Sequence, residues 1–440
     1  MRLTGLLDHP FRDAYAAKLG ALPGAPQAWI DGLRQTARGI LNTSGLPGPR
    51  VEAWKFTGLG DVVKIPFLPS SSAEDIDVRE IPLGVPHIPG ARRIVLVNGV
   101  LSAELSDAVN DPPGLRIGTL KHYLAREPQT LKPILGGLAS SGSYPMAALN
   151  TAYMSDGLVI LADKNFPGST LHIISIGAAG ADPVAFHPRH IITLAAGAQL
   201  NVIETHIGLP GQSYLSNPLT EISVGENATL KRYVMVAEDN DAFHLSTAAV
   251  ALAAHGTFEA FHLVVGGGKV RQEVAVAING AGATCRINGL YALTGKQHHD
   301  LTTVIDHAVG HGTSSQLVKG VVDGQSHGVF QGRIHVAKDA QKTDARQLHK
   351  VLFLSKGPEV DCKPELEIFA DDVQCAHGAA TGEMDPNHLF YLMARGIDAD
   401  TARAMLVSGF LEDAIATISD ELVRAAFSDL VQSWLKRRAA

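Results

Sequence analysis

The run Val270-Arg271-Gln272-Glu273-Val274-Ala275-Val276-Ala277-Ile278 gives way to the corner Asn279-Gly280-Ala281-Gly282-Ala283-Thr284. This pairing of an alternating stretch with a small-residue turn decides the fold. Val274, Val276 and Ile278 share one face and Glu273, Ala275 and Ala277 the other, because successive strand side chains point to opposite sides. Phe330, Ile334 and Val336 stand in the same way against Gln331, Arg333 and His335. The corner recurs at Gly197-Ala198-Gln199-Leu200, Asn227-Ala228-Thr229-Leu230, Gly256-Thr257-Phe258 and Gly282-Ala283-Thr284. Its period, about 26 to 30 residues, lies in the range of stacked-coil architectures.

Working outward, β-prone runs appear at Leu171–Ile176, Ile191–Leu194, Leu200–Ile203 and Leu230–Val236 without amphipathic helices between them. That excludes a βαβ alternation. The reading is a mainly β chain with a parallel β-helix core over 158–380, in which stacked coils bury one face of each strand. A pair of packed sheets is the alternative, since periodicity alone does not separate the two.

The flanks read differently. Residues 1–90 form an N-terminal helical region and linker. Tyr15, Leu19 and Leu22, then Trp29, Ile30, Leu33 and Ile40, recur at helical spacing until Pro47-Gly48-Pro49, and Pro66–Pro89 is an irregular connection. Residues 91–157 make a mixed α/β connection that holds the strand Ile94–Val97, closed by Asn98-Gly99, a strong hairpin signal. Residues 381–440 are helical. Asp385-Pro386 starts one helix and Gly396 ends it, a second covers about 400–417, and Ser419 or Asp420 caps a third with the apolar stripe Leu422, Ala426, Leu430 and Leu435. Such terminal helices serve as intramolecular cover or as a docking face.

Composition narrows the function. A net charge of −7 over 440 residues offers no electrostatic case for nucleic acid or an anionic membrane. No apolar run approaches the roughly 20 residues of a membrane span, and no secretion signal is read at the start, so a cytoplasmic location is expected. P-loop, GxGxxG-after-strand and GxSxG patterns are missing, so any ATPase must be another chain. Three cysteines, Cys285, Cys362 and Cys375, cannot build a four-thiolate cage. A metal or cluster here needs mixed ligands or a second subunit.

The densest donor cluster is Val373-Gln374-Cys375-Ala376-His377-Gly378. In an extended segment Cys375 and His377 point to one side, about 7 Å apart, suited to one soft or borderline ion. A neighbouring cation would lower the cysteine pKa and favour the thiolate ligand. Asp371 and Asp372 put the segment near a surface. Cys285 and Cys362 read as small buried hydrophobes. His298, His299, His307, His311, His327, His335 and His349 crowd one span and read mainly as solvated strand or turn residues.

Several of these segments coincide in order with those of a known family. Arg50-Val51-Glu52-Ala53-Trp54-Lys55-Phe56-Thr57, then Val97-Asn98-Gly99, then a block from Gly332 to Ile397 resemble the SufD branch of the SufB/SufD scaffolds for iron–sulfur cluster assembly. That block includes Ala340–Asp344, Lys363–Ile368, Asp371–Gly378, Leu389–Leu392 and Arg395–Ile397. The resemblance implies a right-handed parallel β-helix between helical flanks, and a SufBCD complex with a SufB-like paralogue and a SufC-like ABC ATPase. The ATPase would dock on the C-terminal helices and the β-helix end would meet SufB. It also implies that His377, with Cys375, ligates iron or a transient iron–sulfur cluster shared at that interface. It allows a reduced flavin in the whole complex and a homodimer of the isolated chain. Ala380, Leu348-His349 and Cys362 depart from the family pattern, which leaves room for local roles of His349 and Cys362.

The expected function is a non-catalytic scaffold that assists iron acquisition or nascent-cluster ligation. The alternatives are a β-helix enzyme acting on carbohydrate, which needs paired acids in a groove, and a purely structural spacer.

Overall fold

The alternating runs become the strands of two parallel sheets that enclose a common core. The computed structural model describes residues 11–70 and 85–439. One sheet runs from Glu359–Ile368 through His327–Val336, His298–His307, Lys269–Ile278, Ala242–Leu252, Leu219–Val224 and Arg189–Leu194 to Leu158–Ala162 and Leu115–Thr119. The other runs from Gln374–Glu383 through Asp344–Phe353, Thr313–Val322, Thr284–Leu293, Thr257–Val264, Thr229–Ala237 and Gln199–Gly208 to Thr170–Gly177, Arg92–Val97 and Val100–Ser102. The chain alternates between the sheets, which makes a β-solenoid of about eight turns rather than a pair of antiparallel sheets. Strand outweighs helix, 40% to 23%, so the protein is mainly β.

The repeat seen in sequence is the coil itself. Gln199, Thr229, Thr257, Thr284, Thr313, Asp344 and Gln374 open successive strands and lie in register. Asn227, His255, His311 and Lys342 take left-handed backbone, φ 54 to 65°, at the corners just before these strands. That conformation is open to few residues besides glycine and asparagine. Inward-facing residues such as Leu230, Val234, Val250, Val276, Ile287 and Ile305 form one continuous core. Full burial of each such side chain contributes about 1.5–3 kcal/mol.

The N-terminal part covers the outer face of the first sheet. Helix Ala28–Ser44 buries Ile30, Arg34, Ala37 and Leu41, while helix Pro145–Tyr153 is buried along its whole length. Arg189 and Glu221, both buried, pair at 2.6 Å, and Glu221 also accepts the amides of Gly136, Leu138 and Ala139. A buried carboxylate so saturated fixes the connecting loop. Pro66–Pro89 is described only at its ends, since 71–84 lie outside the described residues, as do 1–10. Strand Arg92–Val97 closes through Asn98 and Gly99, both at positive φ, into antiparallel Val100–Ser102. These are the signs of the hairpin that Asn-Gly signals.

The compact segment 50–57 does more than order a junction. Trp54 is fully buried and the Arg271 guanidinium lies 4.1 Å from its ring centroid. Arg271 pairs with buried Asp300, which also accepts from Thr57. Glu52 does not pair locally but reaches Lys363, 2.7 Å away and 311 residues on. The segment staples the N-terminal region to the side of the solenoid.

Helices Ala399–Ile415 and Glu421–Ala439 lie along the outer face of the second sheet. Val407, Leu411, Ile415, Val423, Phe427, Val431 and Trp434 pack with Tyr233, Met235, Phe261 and Leu290. The buried stripe of the last helix is thus Val423–Phe427–Val431–Trp434. Leu422 is half exposed, and Ala426, Leu430 and Leu435 flank the contact. The predicted stripe sits one residue off because both ridges are apolar, and the one with aromatic volume fills the groove. No described helix is long and apolar enough to cross a membrane.

Candidate functional site

The solenoid ends on Glu359–Ile368 in one sheet and Gln374–Glu383 in the other. Among the described residues, each pairs with its neighbour on one edge only. Register fixes which side chains face the lumen. Cys375 stands beside Ala345 and His377 beside Gln347, both buried inward residues of the preceding strand. On the facing sheet Cys362 stands beside Phe330 and Leu366 beside Ile334. With no further coil above them, these inward residues are only partly covered. Cys362 and Cys375 are half-buried, His377 is exposed, and Ile368 is 38% exposed.

Cys375 and His377 therefore share one face of an edge strand, at the mouth of the lumen. The two thiols at this end are not poised as thiolates. Burial pushes Cys375 up from its ordinary value, only partly offset by a hydrogen bond from the Ala345 backbone. It pushes Cys362 up to about 11. Val373 and Cys375 lean on the small cluster Ile334, Val336, Ala340, Ala345 and Ala370, and that apolar contact disfavours the charged form until a cation is bound beside it. Loss of the thiol proton has to accompany ligand formation. Asp371 and Asp372 are exposed, and Asp372 pairs with Lys342.

Cys285 is fully buried in the core, its thiol pushed up to about 12 by burial. Cys362 packs against the same core from the last coil. The histidine-rich span corrects the reading made from sequence. His299, His307 and His349 are buried in the lumen, whereas His298 is on the opposite face of its strand, partly covered by segment 50–57. Burial pulls His299 down to about 3, and His298, His307 and His349 to about 4, which leaves all four neutral at neutral pH. His349 lies 3.0 Å from the Tyr291 hydroxyl and packs on Phe330, which gives it a structural place. His298 meets Thr57 at 3.0 Å. His327 and His335 lie nearer the surface and pair with Asp361 and Asp306 at 2.8 and 2.6 Å. His311 is a corner residue.

A polar ladder runs inward from the mouth. Thr303 donates to Gln316 at 2.7 Å, Gln316 to Gln347 at 3.4 Å, and Gln347, beside His377 in register, to the Gly332 carbonyl at 3.3 Å. Sequence reasoning missed it, although the alternation of Thr303 with Leu301 and Ile305 already placed it inward.

Just after the last coil, helix Pro386–Met393 packs against helix Ala399–Ile415 with no residue of its own buried. Phe390, Tyr391 and Met393 are 73%, 56% and 45% exposed. Large apolar groups gathered on one short helix mark an interaction surface more than chance exposure.

Comparison with known proteins accounts for nearly the whole chain. Residues 176–410 match the SUF system FeS cluster assembly SufBD core domain, and residues 8–167 the SufBD protein N-terminal region. The chain is 30% identical over 404 residues to the iron–sulfur cluster assembly protein SufD of Escherichia coli, covering 90% of each. It is 29% identical to a SufBD family protein of Synechocystis sp., covering 86% of this chain and 85% of the relative. It is 33% identical to Protein ABCI7, chloroplastic, of Arabidopsis thaliana over 54% of this chain and 50% of that protein. With its parallel coils from residue 176 onward and its stapled N-terminal region inside these matches, the chain belongs to the SufBD family of SUF-system iron–sulfur cluster assembly proteins.

Proposed function

We propose that this chain is a non-catalytic scaffold subunit whose open solenoid end joins a SufB-type paralogue, with iron or a nascent cluster held at the seam. One observation carries the reading. Two ten-residue parallel strands, Glu359–Ile368 and Gln374–Glu383, end their sheets with unpaired edges. Long bare edges invite strand addition unless they are blunted, and a paralogous solenoid presents the matching geometry. Cys375 and His377 lie at that mouth, one thiol and one imidazole. That donor set is too small to enclose a cluster but suits ligation completed from a second chain. The iron or cluster is cargo here, and this chain's share is to orient His377 on a rigid strand and to yield the Cys375 proton as the bond forms.

The exposed face of Pro386–Met393 suits a SufC-like ABC ATPase, whose movement would open or close the seam. The raised Cys375 pKa favours a second reading, a structural spacer in which Cys375 is incidental. Co-expression with the paralogue and ATPase, followed by anaerobic purification, separates the two. The scaffold reading expects a brown complex that His377→Ala leaves assembled but poor in cluster maturation. Full maturation with normal assembly would reject the ligand role and leave the spacer.

A further inference from the structure

Among the described residues, one group of metal-ligating side chains lies far from the open end. His206 is on strand Gln199–Gly208, Glu238 just follows strand Thr229–Ala237, and His244 is on strand Ala242–Leu252 of the facing sheet. All three are buried, and one donor atom from each lies within 4.8 Å of the others. Their hydrogen bonding is incomplete. His244 has no partner at either ring nitrogen, and Glu238 Oε2 and His206 Nδ1 have none. Glu238 Oε2 and His244 Nδ1 are 3.4 Å apart. Buried polar groups are almost always satisfied, so three adjoining side chains with open positions ask what they are meant to hold.

The surroundings answer in the same sense. His206 Nε2 faces Glu204 at 3.7 Å, which leaves Nδ1 as the atom turned to the cluster. Glu204 is itself gripped by Arg232 at 2.7 and 2.8 Å. A carboxylate behind the second ring nitrogen is the usual orienting partner of a ligating histidine. Tyr214 packs beside Glu238, and its hydroxyl faces that carboxylate. Glu238 borders an open depression rimmed by Asp239, Asn240 and Gln297, which brings solvent to the edge of the cluster.

We propose that His206, Glu238 and His244 bind one divalent transition ion of the Zn(II) or Fe(II) class, through two imidazoles and a carboxylate with one position left open. Two nitrogens and one carboxylate oxygen suit borderline ions and disfavour calcium or magnesium. Bonds of about 2.0–2.2 Å space tetrahedral donors roughly 3.3–3.6 Å apart, so side-chain rotations that draw the donors together by up to about 1.5 Å close the site. The site sits six strands from Cys375 along one sheet, roughly 30 Å at about 4.8 Å per strand. It is therefore separate from the seam and holds whether or not the seam binds cluster.

The test uses the full chain, stripped with a chelator and titrated with Co(II) and Zn(II). One equivalent is expected to bind, with cobalt d–d bands and no thiolate charge-transfer band. Glu238→Gln and His244→Gln should each weaken binding at least about tenfold, while the Cys375→Ser/His377→Ala variant keeps it. Failure to retain one equivalent, a thiolate band, or loss of binding in the Cys375/His377 variant would each overturn the assignment. Should Glu238→Gln or His244→Gln not fold, the wild-type spectrum and the Cys375/His377 variant still decide.

Discussion

The two ends of the solenoid are built to opposite rules. At the first end each sheet finishes on an antiparallel strand, Val100–Ser102 against Arg92–Val97 and Leu115–Thr119 against Leu158–Ala162. Ile94, Leu96 and Leu115 there are sealed, at 4%, 0% and 2% exposure. At the last end the parallel repeat simply stops, and the inward residues Cys375, Leu366 and His377 meet solvent. A stacked-coil protein needs a cap wherever it does not continue. One end carries its cap in the same chain, and the other, on the proposed reading, receives one from a second chain.

The contrast is sharpest in stability. Leu96→Ala at the sealed end should cost about 2–5 kcal/mol, as core truncations do, read as a lowered urea midpoint. Ile368→Ala at the open end should cost less than about 1 kcal/mol in the isolated chain, because little burial is lost. Equal costs at both ends would mean that the open end is already covered.

Acid should probe the lumen between the ends. The buried rings of His299, His307 and His349 have folded values of about 3 to 4, below the usual 6.5 of an unfolded histidine. Between those values the unfolded chain binds more protons. Their contribution is thus whole above about pH 6.5 and is lost as pH falls toward 4. Each such ring adds a slope of up to about 1.4 kcal/mol per pH unit. His299→Gln, at a ring without hydrogen-bond partners, should remove about one proton from that slope. An unchanged slope would place His299 in contact with water.

Thiol reactivity should show the smallest effect. Alkylation of the native chain is expected to run Cys375 fastest, Cys362 more slowly and Cys285 hardly at all, following exposure and rising pKa. Partner binding should then protect Cys375. Rapid labelling of Cys285 would contradict the continuous core.

Much of this was legible in the chain. The corners at Gly197, Asn227, Gly256 and Gly282 named the period, and alternation in 270–278 named the inward face. The Asn98-Gly99 turn was readable because two positive φ values in succession demand such residues. What escaped were facts that only coil stacking creates. His299 and His307 share strand parity with Leu301 and Ile305, yet their polarity suggested solvent. The parity was the better guide. Leu422 and Val423 both began plausible helix stripes, and only the volume of Phe427 and Trp434 against the sheet chose between them. His206, Glu238 and His244 carry no spacing motif, since three separate strands bring them together. The Cys375–His377 pair was found by spacing, whereas the raised Cys375 pKa depends on neighbours from 334 to 345 that spacing does not reveal.

The central claim is that the bare strand edges at the last coil are where a second chain attaches. Amide hydrogen exchange of this chain, alone and with a co-expressed SufB-type paralogue, tests it directly. Slowed exchange confined to Glu359–Ile368 and Gln374–Glu383 is the predicted result. Unchanged exchange in both strands, within a complex that nonetheless forms, would contradict it.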